Sequence, residues 1–381
     1  VPNAIALDFS TTPRIVLRPG AVADLPAILR DVHARHALLV TDPGLVKAGL
    51  IEPAVAALRA AGIAVTVYDQ VQADPPVRIV VAAADAARQA LVDAVIGFGG
   101  GSAMDTAKLV AYLVRSPCDL ETIYGVELAQ GARLPLILVP TTAGTGSEVT
   151  PISIVTTDND EKRGVVSRRL LPDVALLDPD TTLGLPAGVT AATGIDAMVH
   201  AIEAYTSRHK KNPISDVLAR QALALLSQNL PVVLDRPGDR AARGAMLLGS
   251  CLAGMAFANA PVAAVHALAY PLGGRYHVSH GLSNSLMLVP VLNFNASAAA
   301  PLYGELAAIV GAVAGSTDGF IAKITDLVAG SGVPRRLREV GVTQDSLDLL
   351  AEDAMRQTRL LVNNPVEVTL ADARRLYGSV F

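Results

Sequence analysis

The sequence has no tryptophan and only two cysteines in 381 residues. Two thiols, Cys118 and Cys251, cannot build a disulfide framework, and both read as reduced groups of a cytoplasmic protein. Charge is scarce too: 17% of residues are charged, against 51% hydrophobic. That balance excludes a disordered chain, which cannot bury enough apolar surface to offset its ordering entropy. A net charge of -4 offers no basic footprint for nucleic acid or for an anionic membrane. The expected partners are a small-molecule substrate and further copies of the chain.

Two other features are missing. The segment "VPNAIALDFSTTPRIV" has no basic region followed by an apolar core, so no signal peptide is expected. Between Arg243 and Arg275 there is no formal charge. That stretch is long enough to cross a bilayer. Asn259, Pro261, His266 and scattered glycines interrupt it, and a buried helix pair is the expectation.

What is present is alternation. "HALLVTD", "AVTVYD", "DAVIGFGGG" and "LPLILVP" read as short strands. "PGLVKAGLIEPAVAALRAAG", "VRIVVAAADAARQAL" and "SAMDTAKLVAYLV" read as the helices between them. "ISIVTT", "GVVS" and "DVALLD" are short strands that finish the same domain. Such alternation predicts a mostly parallel sheet with helices on both faces. After "DPDTTLGLPAG" strand signals nearly vanish. "AGVTAATGIDAMVHAIEAYTS", "SDVLARQALALLSQNL", "LYGELAAIVGAVAG" and "SLDLLAEDAMRQTRLL" carry helical periodicity, and "TLAD" from Thr369 to Asp372 is a capping box. The expected division is an α/β dinucleotide-binding domain over 1–185 and an all-α domain over 186–381.

"GFGGGSAMDTAK", from Gly97 to Lys108, follows a strand and opens a helix. Glycines let a backbone approach a phosphate, and free amides at a helix start favour an anion. Ser102 can cap that helix or meet a phosphate oxygen. The spacing is neither that of the Rossmann fingerprint nor that of a P-loop, and a tight turn explains the glycines equally well. "PTTAGTGSE", from Pro140 to Glu148, also follows a strand and carries Thr141, Thr142, Thr145 and Ser147. Two such loops at strand ends suit a dinucleotide lying across a crevice. Asp42 ends the first strand of the alternating series. Its carboxylate could accept from a ribose hydroxyl and would repel a 2'-phosphate, which favours NAD over NADP. An exposed turn aspartate is the plainer reading.

Asp196 and His200 lie four apart and share a helix face, with Glu203 near it. "VHALAYPLGGRYHVSHGLSNS" adds His266, His277 and His280, and His280 reads as a new helix start. One carboxylate and three imidazoles would hold a divalent transition metal, iron(II) or zinc. The alternative is packing, with each imidazole hydrogen-bonded and inert.

Together "GGGSAMDTAK", "PTTAGTGSE", "ATGIDAMVHAIEAYTS" and "HALAYPLGGRYHVSHGLSNSLMLVP" resemble the iron-containing (group III) alcohol dehydrogenase family. The resemblance runs over nearly the whole chain, in the family's order. It implies a dehydroquinate synthase-like architecture, with a nucleotide domain, a helical domain and a site in the cleft between them. It implies NAD and a divalent metal, iron(II) foremost and zinc as the alternative. The family's metal ligands fall on Asp196, His200, His266 and His280. Its nucleotide loops fall on Gly99, Gly100, Gly101 and Ser102 and on Thr141, Thr142, Thr145 and Ser147. Lys162 matches a lysine near the cofactor, and Asp42 matches a position where members favouring NAD carry Asp. Members commonly associate, so a homo-oligomer, a dimer at least, is expected.

One position departs. Where many members carry a histidine given a proton-relay role, this chain has Tyr270. A phenol holds its proton to about pH 10 and is a poorer relay near neutrality, so His277 is the candidate substitute. The implied activity is hydride transfer between NAD(H) and a small alcohol, aldehyde or ketone, with the metal polarising the substrate oxygen. Maleylacetate reductases and hydroxy-acid dehydrogenases are the nearer alternatives, and a dehydroquinate synthase-like lyase the more distant one. The lyase would want many cations about its motifs, where Arg275 is the obvious one.

Overall fold

Leu38 and Val40 of one strand belong to one apolar cluster, while Ala37 and Leu39 of the same strand belong to another. Successive side chains leave a strand on opposite faces, so this sheet is covered on both. The computed structural model describes residues 7–157 and 161–381. The opening residues of the segment read for a leader lie outside that range. Two compact units form: Thr11–Gly184, and Leu185–Phe381 together with residues 7–10.

In the first unit the strands are β1 (Arg14–Leu17), β2 (His36–Val40), β3 (Ala64–Tyr68), β4 (Ala94–Gly99), β5 (Gly125–Val126), β6 (Leu136–Pro140), β7 (Ile152–Thr156), β8 (Lys162–Val166) and β9 (Val174–Leu177). Six of them form one sheet in the order β1-β9-β6-β4-β2-β3, and every pairing in it is parallel. The helices are α1 (Leu25–Asp31), α2 (Pro43–Lys47), α3 (Glu52–Ala60), α4 (Val77–Gln89) and α5 (Gly101–Arg115). Residues of α4 and α5 cover one face, and residues of α1 and α3 the other. The chain leaves β2 toward β3 on one side and returns as β4 on the other. That reversal is a topological switch point, where ligands of open α/β sheets bind beyond the strand ends.

Two details depart from the sequence reading. β7 and β8 do not join the main sheet; with β5 they make a separate three-stranded sheet, while β9 enters the main one between β1 and β6. The helix expected over "PGLVKAGLIEPAVAALRAAG" is two, α2 and α3. Gly49 between them is left-handed, at φ 71°, which a continuing helix does not allow.

The second unit has no strand among its described residues. Its helices are α6 (Ala187–Thr206), α7 (Pro213–Asp235), α8 (Arg240–Asn259), α9 (Ala264–Tyr276), α10 (His280–Asn295), α11 (Ala300–Ala307), α12 (Thr317–Gly330), α13 (Leu347–Met355), α14 (Thr358–Leu361) and α15 (Leu370–Ser379). α6 is buried along most of its length, with α7, α8 and α10 packed on it. α7 and α8 are long and apolar enough to span a membrane by length and composition alone. The uncharged stretch after Arg243 is the helix pair α8 and α9. Thr369 and Asp372 form the expected capping box of α15. "LYGELAAIVGAVAG" is helical only to Ala307, because Gly311 and Gly315 turn left-handed. "SLDLLAEDAMRQTRLL" is also broken, into α13 and α14. Residues 7–10 reach this unit through Asn259, whose side chain accepts from the Ser10 N–H at 2.8 Å and donates to the Ser10 carbonyl at 2.9 Å.

Candidate functional site

The two loops expected to hold a nucleotide come from β4 and β6, which are neighbours in register, with Gly99 opposite Pro140. Thr141 continues the pairing by donating its N–H to the Gly99 carbonyl at 3.0 Å. The loops therefore leave the sheet side by side. A Cβ on Gly101 would stand 3.0 Å from Thr145 Cγ2, and one on Gly99 would stand 2.7 Å from Ala103 Cβ. Any side chain there would push the loops apart or fill the space above them. α5 begins at Gly101 with Gly100 as N-cap and no side-chain cap, so Ser102 does not cap it and its first amides stay open to an anion. The buried Thr142 hydroxyl, beside Gly100, has no hydrogen-bond partner. A glycine cradle, open helix amides and an orphaned hydroxyl fit a dinucleotide's pyrophosphate.

Asp42 follows β2 and caps α2, accepting from the Leu45 N–H at 3.1 Å. Its other carboxylate oxygen borders Gly99, which puts it at the switch point beside the glycine loop. Lys162 lies on β8, where its ammonium pairs with Asp74 at 2.7 Å.

Beneath the loops is a buried network that the sequence did not disclose. Lys108 is fully buried. Its Nζ donates to Ser147 Oγ at 2.7 Å, to Thr150 Oγ1 at 3.2 Å and to the Ile152 carbonyl at 2.6 Å. Ser147 Oγ in turn donates to Asp105 at 2.6 Å, and Asp105 also accepts from the Ile154 N–H at 2.9 Å. Asp105 thus ties α5 to the following loop and strand. Ser147 works inside this tie, while Thr145 Oγ1 accepts from the Ser147 N–H at 3.2 Å. Burial lowers the Lys108 pKa, with Asp105 and Glu148 opposing. Burial raises the neighbouring Glu148 to about 7, against the pull of Lys108.

The metal candidates come together in the helical unit. One ligand atom each from Asp196, His200, His266 and His280 lie within 4.8 Å of one another. Asp196 and His200 share a face of α6, His266 sits in the first turn of α9, and His280 opens α10. Asp196 Oδ1 is 3.9 Å from Nε2 of His200, 3.9 Å from that of His266 and 3.7 Å from that of His280. Tetrahedral ligands about 2.1 Å from one ion stand roughly 3.4 Å apart, so a small closure completes the set. Asp196, His200 and His266 are buried, where a carboxylate needs a compensating cation or donors.

The nearby groups confirm which atoms face inward. His266 Nδ1 lies 2.6 Å from Glu203 Oε2, which leaves Nε2 on the side of Asp196. The Asn284 amide nitrogen donates to Asp196 Oδ1 at 2.6 Å and lies 3.2 Å from Nε2 of both His266 and His280. Three acceptors converge on one small donor, and the Asn284 Oδ1 is left without a partner. Such a donor set fits a divalent cation.

Phe257 stacks on the His200 ring at 4.2 Å, and the Tyr270 ring lies 6.0 Å from that of His280. Phe257, Tyr270 and Leu361 pack against Val262, Ala267 and Leu360. That gives the ligand set an apolar flank, which the sequence could not place. His277 is the left-handed C-cap of α9, with an exposed side chain. Arg275 gives its guanidinium to Asp353.

Comparison with known proteins identifies a family. Residues 12–179 match the family model described as iron-containing alcohol dehydrogenase, and residues 190–381 match that of the Fe-containing alcohol dehydrogenase family, C-terminal. Long-chain-alcohol dehydrogenase 1 of Geobacillus thermodenitrificans is 40% identical over 97% of this chain and 96% of its own. The crystal structure of a 1,3-propanediol oxidoreductase, 34% identical, superposes with a TM-score of 0.95 over 99% of this chain and 100% of the other. Sulfoacetaldehyde reductase from Bifidobacterium kashiwanohense, solved with NAD+, is 29% identical with a TM-score of 0.89 over 99% of both chains.

Proposed function

The chain belongs to the iron-containing alcohol dehydrogenase family and is an oxidoreductase moving hydride between NAD(H) and an alcohol or aldehyde; on that premise we propose how its residues divide the work. Gly99, Gly100, Gly101 and Ser102, with the open amides of α5, receive the pyrophosphate. Thr141, Thr142 and Thr145 line the second loop, and Ser147 holds that loop in place. Asp42 accepts from the adenosine ribose and disfavours a 2'-phosphate. Lys162 acts near the cofactor through its strand rather than as a free cation, because Asp74 holds its ammonium.

Asp196, His200, His266 and His280 hold a divalent metal, iron(II) in preference to zinc by the family resemblance. When bound, the metal polarises the substrate oxygen as a Lewis acid and the nicotinamide carries the hydride. The protein's part is to orient the substrate, exclude water and move one proton. Phe257 and Tyr270 form the apolar wall that orients a small carbon chain. Tyr270, a phenol and so a poor proton relay near neutrality, serves in the wall, and His277, exposed at the end of α9, is the group assigned to pass the proton to solvent. Arg275 is paired with Asp353, which weighs against a phosphorylated substrate and against the lyase alternative. Two cysteines outside any disulfide, one exposed and one buried, suit a reducing cytoplasm. A homodimer is part of this reading, and light scattering tests it.

The convergence of four ligand atoms within 4.8 Å carries the proposal. The test is anaerobic reconstitution with iron(II) or zinc and a panel of short alcohols and aldehydes, followed by nicotinamide absorbance. Turnover should require the metal. His266→Ala should lose metal and nearly all turnover while NAD still binds. Full turnover by stringently metal-free enzyme would sink the metal assignment.

A further inference from the structure

Glu203 lies one turn beyond His200 on α6 and is buried. Its carboxylate meets three N–H groups on a different segment. Oε1 accepts from the Val265 amide at 2.7 Å. Oε2 accepts from the Ala263 amide at 2.9 Å and from His266 Nδ1–H at 2.6 Å. Ala263 is the N-cap of α9 and has no side chain able to cap it. The cap of α9 is therefore supplied by another helix, through the same carboxylate that grips His266.

An ionised carboxylate only accepts. Its contact with Nδ1 requires the proton to sit there, and that leaves the Nε2 lone pair directed at Asp196 and His280. The same carboxylate lies at the N-terminal end of α9. Taking the proposed metal site as given, we propose that Glu203 is its positioning residue: it sets the His266 tautomer and, by capping α9, fixes the position from which His266 binds the metal. A partner on a ligand imidazole's second nitrogen fixes both tautomer and ring orientation.

Glu203→Gln tests this, since it keeps size but can turn an amide N–H₂ toward Nδ1. With N–H₂ at the Oε2 position the proton moves to Nε2 and the ligand lone pair is lost; with N–H₂ at the Oε1 position the Val265 amide loses its acceptor and the cap of α9 is weakened. The metal-free enzyme, labelled with ¹⁵N-histidine, is examined at alkaline pH by long-range ¹H–¹⁵N correlation. Wild-type His266 should show Nδ1–H, and the variant should gain an Nε2–H population. Zinc affinity, measured by chelator competition, should fall by roughly 10–100-fold. A wild-type Nε2–H tautomer overturns the proposal even if the variant does not fold. So does a folded variant with unchanged zinc affinity. A wild-type protein that binds no zinc overturns the metal assignment and the affinity half, whereas the tautomer result stands by itself.

Discussion

Glu148 ends the second nucleotide loop and is fully buried beside Lys108. Burial raises its pKa from 4.5 to about 7, so the folded chain holds this proton more tightly than the unfolded one does. Protonation therefore favours folding. The stability involved is fully present below pH 4.5 and is lost as pH rises through about 7. The gap is worth roughly 3 kcal/mol. Glu148→Gln should remove it, leaving a thermal midpoint that is flatter from pH 5 to 7 than in the wild type, by about the shift such an energy gives. Superimposable pH profiles for the two proteins would show that Glu148 is not the group concerned. At this scale the sequence was legible for residue types that bind metal, because Asp196 and His200 share one helix and the two other histidines flank one turn. It did not disclose the partners of Asp105, Lys108 and Asn284. Asp105 sits inside α5, yet its partners Ser147 and Ile154 are more than forty positions away, beyond any local pattern. Glu203 showed only its helix face; the amides it caps lie on another segment. Asn284, four after His280, carried a faint signal in that spacing alone.

Helices α6 and α10 touch where the ligands meet. A Cβ on Gly281 would stand 2.6 Å from the Ala192 carbonyl oxygen and 2.8 Å from its carbon. These are backbone atoms of α6 and cannot rotate away. Gly281→Ala must lift the first turn of α10, and His280 is the residue before it. The expected result is a loss of metal affinity of at least tenfold, with the NAD affinity of the other unit unchanged; calorimetric titration with zinc and with NAD reads both. Retained zinc affinity would mean that α10 relaxes without moving His280. The elements themselves were legible wherever hydrophobic periodicity ran unbroken, as in β4, α4, α5 and α6. Failures fell at glycines. Gly49 splits one expected helix, and Gly311 and Gly315 shorten another, because a left-handed residue ends a helix regardless of the apolar pattern around it. The separate sheet of β5, β7 and β8 was illegible for a different reason: partner choice among short strands depends on tertiary context.

At the scale of the whole molecule, the proposed sites give each ligand its own unit. NAD should slow amide exchange over 97–109 and 140–150. Zinc should do so over α6, α9 and the first turn of α10. Binding stabilises the unit that binds, by an amount set by ligand concentration over Kd. Hydrogen–deuterium exchange with each ligand alone checks this, and zinc protection centred on the glycine loops would contradict the assignment. The helical unit is also discontinuous in sequence. Ser10 and Asn259, which grip each other through two hydrogen bonds, are 249 positions apart. A ribosome adding about 5–20 residues per second delivers Asn259 roughly tens of seconds after Ser10. The whole stretch Thr11–Gly184 emerges in that interval, with its own core and its phosphate loops complete. The unit proposed to bind the nucleotide is thus fully translated before His280, the last of the proposed metal ligands, and the segment at 7–10 is made long before its partner Asn259.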